Sequence, residues 1–369
     1  MKLKGGENRA LRQVLLGCLL YNKRKEDMIV KKLPIILIIL CIGLTFSTVC
    51  ISNAEAEQIK LTYSNFFPPT HIQSKLAESW CKEVEKRTQG QVVVEYFPGQ
   101  TLTKARQVYD GVVTGLSDLG LALFAYTPGR FPVMEAVDLP LGYMSGNAAT
   151  MVVNEVYKKF NPKELQDTKV MYLHAHGPGV LHTKGKPVRK LEDLKGLKLR
   201  GHGTSAAIVK ALGATPVAMP MPELYQSLQK GVVDGALYPL EVNKGWKMGE
   251  VTDFTTASFS CAYTSSFFVV MNKDKWNSIP AEAQKIIEQI NEEWIPKHAA
   301  AWVSSDMEGY QYSLVLGQDI FGLDSKEAAR WKQAVAPVID EYIKKMNENG
   351  FNGKEIVDFT ASTLDRYQK

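Results

Sequence analysis

The 369-residue chain has only five cysteines, and Cys18, Cys41 and Cys50 all lie before residue 57. The two that remain, Cys81 and Cys261, have no metal-ligating neighbour at useful spacing. An oxidising compartment permits one bridge between them, while the place of Cys81 on a helical stripe with Ala77 and Val84 suits a buried thiol equally well. Charge of one sign is also scarce. The formal net charge of +5 arises in the first 56 residues, which hold nine Lys/Arg and four acids; taking these from 44 and 39 leaves 35 of each sign. With no excess of positive charge, nucleic acid and anionic membrane are not expected as partners. Signatures of catalysis are missing as well: there is no Gly-x-Ser-x-Gly elbow, no His-Glu-x-x-His pair and no P-loop. His174 and His176 stand two apart with no third ligand at a recognisable spacing, so neither a metal nor a cofactor is expected. A secreted α/β hydrolase is the enzyme alternative, to be revived only by turnover of simple acids or esters.

A long apolar run occurs once, from Leu33 through Val49, with Lys31 and Lys32 before it and Ser52-Asn53-Ala54-Glu55-Ala56 after it. Basic flank, apolar centre and small-residue end describe a secretory leader over about residues 28–56, with Met28 as an alternative start. The run is short for a membrane span, and Ser47-Thr48-Val49 before Cys50 does not fit a lipoprotein. Removing 56 residues from 369 leaves 313 for the exported protein, enough for two lobes with separate cores. The expected location is the periplasm.

From Ile59 onward, short apolar strands alternate with amphipathic helices. Strands are expected at Lys60–Ser64, Val92–Phe97, Leu119–Phe124 and Val170–His174, and helices at about Thr70–Arg87, Lys104–Thr114 and Asn147–Phe160. A second set follows Gly177-Pro178-Gly179, a natural lobe boundary. Its strands fall near Arg200, Pro216–Met219 and Val232–Leu237, and its helices at Ser205–Leu212 and after Pro222. Such alternation argues parallel sheets with crossover helices. Ser265–Met271 is nearly all apolar, as a strand buried on both faces should be, and is expected to return to the first sheet. The last third is helical, with a long helix from Pro280 toward Gln318 and helices at Ser325–Asn349 and Lys354–Tyr367.

The segment Leu197-Lys198-Leu199-Arg200-Gly201-His202-Gly203-Thr204-Ser205 delivers an arginine into a glycine-rich turn. Thr204 or Ser205 can cap the helix behind it, whose free N–H groups favour an anion. Arginine presents a planar fork that holds a carboxylate by two parallel hydrogen bonds. A structural ion pair explains the same residues, and the segment alone does not choose between them.

Several segments in order do choose: Phe67-Pro68-Pro69-Thr70-His71, Glu83 to Gly90, Val112 to Asp118, Asp138-Leu139-Pro140, Leu194 to Arg200, Leu212 to Val217 and Leu228 to Gly235. The chain resembles the extracytoplasmic solute-binding proteins of tripartite ATP-independent periplasmic (TRAP) transporters, the DctP type. The resemblance implies an α/β fold of two lobes, each a β-sheet flanked by helices, joined by crossing strands and a long helix, and closing on a ligand. Residues 57–177 with about 266–305 would form lobe I, and 178–265 with about 306–369 lobe II. It also implies capture of an organic anion, delivery to TRAP permease subunits or, by the same fold, to a sensor kinase, and a monomeric protein that performs no catalysis.

Arg200 sits on the family's carboxylate-binding arginine. A second arginine found in many members corresponds here to Val180, and the positions before Pro239, where members often carry a carboxylate or amide, are Leu237 and Tyr238. Tyr238 is therefore a candidate for stacking on or hydrogen-bonding the ligand, and no metal is implied. Further candidates come from loops at strand ends, where ligands of open α/β sheets bind: Asn65, Phe66 and His71 after the first strand, Phe124 and Tyr126 after the third, and Trp246. Turn, cap or core roles compete with ligand contact at each. Loss of one arginine and gain of Tyr238 tilt the expectation toward a monocarboxylate with an apolar or aromatic part.

Overall fold

The computed structural model describes residues 58–369; the expected leader, the alternative start at Met28 and the Cys50 alternative lie outside them. Two mixed sheets are present. The first has the order β2-β1-β3-β10-β4, where β1 is Ile59–Asn65, β2 Val92–Phe97, β3 Leu119–Leu123, β4 Thr168–Ala175 and β10 Ser266–Asn272. The second has the order β11-β9-β5-β8-β6-β7, made of β5 Gly179–Thr183, β6 Lys198–Gly201, β7 Thr215–Ala218, β8 Gly235–Pro239, β9 Phe254–Ala257 and β11 Asp319–Gly322. The apolar run Phe267–Met271 is buried along its length because β10 lies between β3 and β4. It runs antiparallel to both, as β5 does to β8 and β9, so the sheets are mixed where strand-helix alternation suggested parallel ones. Those reversed strands are the ones reached by crossing between lobes.

Six longer helices cover the sheets: α1 Ile72–Arg87, α2 Gly146–Phe160, α3 Thr204–Ala211, α4 Ala281–Val315, α5 Ser325–Glu348 and α6 Gly353–Gln368. Helix α1 buries the stripe Ala77, Trp80, Cys81 and Val84, and the Trp80 indole donates to Asn291 of α4 at 2.9 Å. Helix α4 runs 35 residues, about 50 Å at 1.5 Å per residue, and is helical through Pro296. Its first half packs on α1, α2 and β4, and its later part on the short helix Val242–Gly245 beyond β8. Gly309 permits that second contact, since a Cβ there would stand 2.0 Å from the Leu240 carbonyl oxygen. No helix among the described residues is long and apolar enough to cross a membrane. Cys81 and Cys261 are buried and not bridged to each other; the Cys261 thiol faces the Ser258 carbonyl at 3.6 Å.

Among the described residues the chain passes between the two sheets four times: at residues 176–178 from β4 to β5, at 258–265 from β9 to β10, along α4 from β10 to β11, and along α5 from the second core back to the first. The first two crossings are joined by Gly179 N–H to Tyr263 O at 2.8 Å and His176 N–H to Ser265 O at 3.3 Å. Helix α5 begins in lobe II, where Ala328, Trp331 and Val335 join Leu199 and Leu237, and ends in lobe I, where Tyr342 and Met346 join its core. Helix α6 then packs on α2, with Gln368 Oε1 accepting from Met144 N–H at 2.6 Å. The expected lobe II segment of 306–369 is corrected accordingly: Ile356, Val357 and Leu364 are buried in the lobe I core.

Candidate functional site

Arg200 lies in β6 and is fully buried. A guanidinium out of water needs partners, and it has too few. Its Nε donates to Met219 O at 3.0 Å and its Nη1 to Leu237 O at 3.4 Å, while Nη2 is buried with no partner among the described residues. Two carbonyls therefore hold and aim the fork without neutralising its charge. Two residues on, His202 also lines the cleft, and its Nδ1 is likewise buried and unpartnered. Burial, reinforced by the charge of Arg200, holds His202 well below the ordinary histidine pKa, so it is neutral near pH 7.

Tyr126 meets this pair from lobe I. Its hydroxyl oxygen accepts from Met221 N–H at 3.0 Å, which leaves its own proton for the cleft, and its ring stands edge-on to His202 at 5.3 Å. Burial raises the Tyr126 pKa and Arg200 opposes that rise. The turn after β6 departs from the expected capping. Gly203, at φ +47°, holds the N-cap position of α3, and the Ser205 hydroxyl instead accepts from His202 N–H at 2.9 Å and donates to His202 O at 2.8 Å. A Cβ on Gly203 would lie 2.9 Å from Ala125 Cβ, so the lobes touch here with no side chain between them.

Around these donors the cleft has aromatic walls. Phe66 stacks on Trp246 at 6.0 Å and on Phe267 at 6.4 Å, and Tyr263 closes the hinge side with its hydroxyl donating to Leu237 O at 3.0 Å. Two acceptors share the space. The His176 Nδ1 lies 2.6 Å from Gly177 O; since a carbonyl only accepts, Nδ1 carries the proton, and burial pushes this imidazole down to about pKa 4. Glu241 Oε2 accepts from His71 Nε2 at 2.9 Å, and Glu241 N–H donates to Asp306 Oδ1 at 2.9 Å. Burial raises the Asp306 pKa well above the usual carboxylate range; the hydrogen bond from Glu241 N–H opposes that rise, and the Glu241 charge adds a smaller push upward.

Of the residues expected at the site, Arg200, Tyr238, Phe66, Tyr126 and Trp246 line the cleft. Within that lining the Tyr238 ring stacks on His182 at 3.8 Å and its hydroxyl lies 3.5 Å from Thr252 Oγ1. Asn65, His71 and Phe124 stand behind the walls. Asn65 closes a turn by accepting from Phe67 N–H at 2.9 Å, His71 caps α1 by accepting from Gln73 N–H at 3.2 Å, and Phe124 packs on Phe131 and Phe268. Val180 is buried against Ala257 and Phe259, with no second arginine in its place. Sequence reasoning missed Phe67, His176, His202, Glu241, Tyr263 and Phe267. Only His202 carried a local signal, being two residues from Arg200 on an extended segment and so on the same side. Among the described residues no cluster of three or more His, Cys, Asp or Glu is placed to hold a metal; His174 instead accepts from the Trp302 indole at 3.1 Å and stacks on His298.

Two α/β lobes linked by crossing segments, with a buried half-paired arginine between them, define the class of two-lobed solute-binding receptors. Residues 63–345 match the family described as bacterial extracellular solute-binding protein, family 7 (DctP), and the chain belongs to that family of TRAP-type solute-binding proteins. It is 27% identical over 311 residues to the C4-dicarboxylate-binding periplasmic protein DctP of Rhodobacter capsulatus, covering 83% of this chain and 93% of that one. Among solved structures it is similar to a marine metagenome TRAP solute-binding protein specific for aromatic acid ligands, in complex with metahydroxyphenylacetate. That likeness has a TM-score of 0.81 at 30% identity, over 85% of this chain and 100% of the other. It is also similar to a TRAP solute-binding protein from Rhodoferax ferrireducens T118 with copurified benzoate, at TM-score 0.79 and 30% identity, over 84% and 99% of the two chains.

Proposed function

We propose that this receptor captures an aromatic monocarboxylate in the cleft and carries it, through the periplasm, to TRAP permease subunits in the membrane. The carrying observation is the unpartnered Nη2 of Arg200, with His202 and the Tyr126 hydroxyl beside it as further donors to one carboxylate. Arg200 is the one arginine in the lining and His202 is neutral, while Glu241 stands in the same lining. A second carboxylate on the ligand would meet no second cation, and this separates the cleft from one built for C4-dicarboxylates. Phe66, Phe67, Trp246 and Phe267 suit a flat ring, in keeping with the aromatic acids bound by the two similar structures. The expected leader supplies export, and the receptor works as a monomer. Contacts from both lobes to one ligand favour the closed state, which the permease must recognise; no chemistry is done on the ligand.

The test is a thermal-shift screen of residues 57–369, unfolded and refolded to clear any carried ligand, against aromatic monocarboxylates, short dicarboxylates and sugar acids. An aromatic acid at a hundred times its dissociation constant should stabilise the protein by ~2.7 kcal/mol. A response to dicarboxylates with none to aromatic acids overturns the proposal.

A further inference from the structure

The donors on the β6 side of the cleft account for a carboxylate and leave the other polar groups of the lining without an occupant. Glu241 is 3% exposed and lines the cleft; its Oε2 accepts from His71, and its Oε1 makes no hydrogen bond with the described residues. The donor to Oε2 is fixed by the fold, because His71 Nδ1 accepts from Gln73 N–H and so the ring proton sits on Nε2. His176 is in the same condition. Its Nδ1–H is taken by Gly177 O, so Nε2 is a bare lone pair, and Nε2 has no partner among the described residues. Neither group can turn to serve the other, since both are acceptors. Both atoms face the cleft, so a ligand that displaces water from them without offering a donor leaves them unpaired, and the Tyr263 hydroxyl cannot serve them because it is already given to Leu237 O.

We infer that the ligand carries a hydrogen-bond donor as well as its carboxylate: a hydroxyl on the aromatic acid, given to Glu241 Oε1 or to His176 Nε2, or an ammonium, which has protons for both. This rests on the carboxylate reading of Arg200 and deepens it: Arg200, His202 and Tyr126 hold the acid group, the aromatic walls hold the ring, and the acceptors select for the donor. An acid lacking the donor leaves both acceptors dry and unpaired, and sites of that kind reject the lacking analogue strongly.

The experiment is calorimetric titration of the refolded protein with benzoate and phenylacetate, each beside its ring-hydroxylated and aminomethyl derivatives, in the parent protein and in Glu241→Gln, Glu241→Leu and His176→Phe. In the parent, at least one donor-bearing acid should bind ten-fold or more tighter than its parent acid. That preference should fall toward unity in Glu241→Leu or His176→Phe. An ammonium donor should lose most of its advantage in Glu241→Gln, whereas a hydroxyl donor should keep part of it, because the amide oxygen still accepts. Equal affinities of parent and donor-bearing acids in the unmodified protein overturn the inference and leave the carboxylate reading standing, and this comparison needs no variant to fold. Failure of every aromatic carboxylate to bind overturns the underlying reading as well.

Discussion

The substitution Arg200→Lys keeps the charge and removes the fork. In the parent protein, Nε and Nη1 are committed to Met219 O and Leu237 O, and only Nη2 is left for the ligand. A single ammonium cannot span all three directions, so the variant either leaves Met219 O orphaned or fails to reach the carboxylate. Leu237 O is less affected because the Tyr263 hydroxyl also donates to it. Loss of one charge-assisted hydrogen bond costs about 1.5 to 3 kcal/mol, equivalent to about a 10- to 150-fold weaker dissociation constant. The assay is calorimetric titration with the aromatic acid giving the largest thermal shift, alongside urea unfolding of the ligand-free variant. A variant that is folded and binds within two-fold of the parent would refute the assignment of Nη2 to the ligand.

Gly203→Ala places a Cβ against Ala125 at a positive φ, so it should weaken binding at least ten-fold by keeping the lobes apart; Gly185→Ala, at φ +73° with open space around it, should lose stability alone, and equal binding losses in the two would show strain and not closure. Trp246 stacks on Phe66 in the cleft, so tryptophan emission should change on ligand addition and that change should largely vanish in Trp246→Phe. Burial raises the Asp138 carboxyl from 3.8 to about 8 and the Glu164 carboxyl from 4.5 to about 7, so the folded state holds these protons where the unfolded chain has released them. Their contribution is full below about pH 4 and is lost as pH rises through 7 to 8; urea midpoints should decline from pH 5 to pH 9, and Asp138→Asn should flatten the decline.

The strands with strong local character were legible in the sequence. Phe267–Met271 announced a doubly buried strand, and the expected bounds of Val92–Phe97 match those of β2. The strands β9 and β11 were not, because four residues such as Phe-Thr-Thr-Ala or Asp-Ile-Phe-Gly give too little periodicity to separate them from loop. Which lobe claims α6 was equally hidden, since an amphipathic stripe states that a face is buried and not against what. At the site, Arg200 could be found because its turn carries a local signature. Glu241, His176 and Tyr263 could not, because each gains its place from a lobe crossing that joins residues dozens of positions apart.

The return of the chain to lobe I has a practical meaning for any attempt to watch the receptor close. Strand β1 opens the described chain in the first sheet, and α6 ends it against α2 of the same lobe. Fluorescent labels fused to the two ends would ride on one body, and their separation would stay constant while the cleft shuts. A reporter of closure has to be placed on the other body, at an exposed turn such as Gly231–Val232, with its companion at either end.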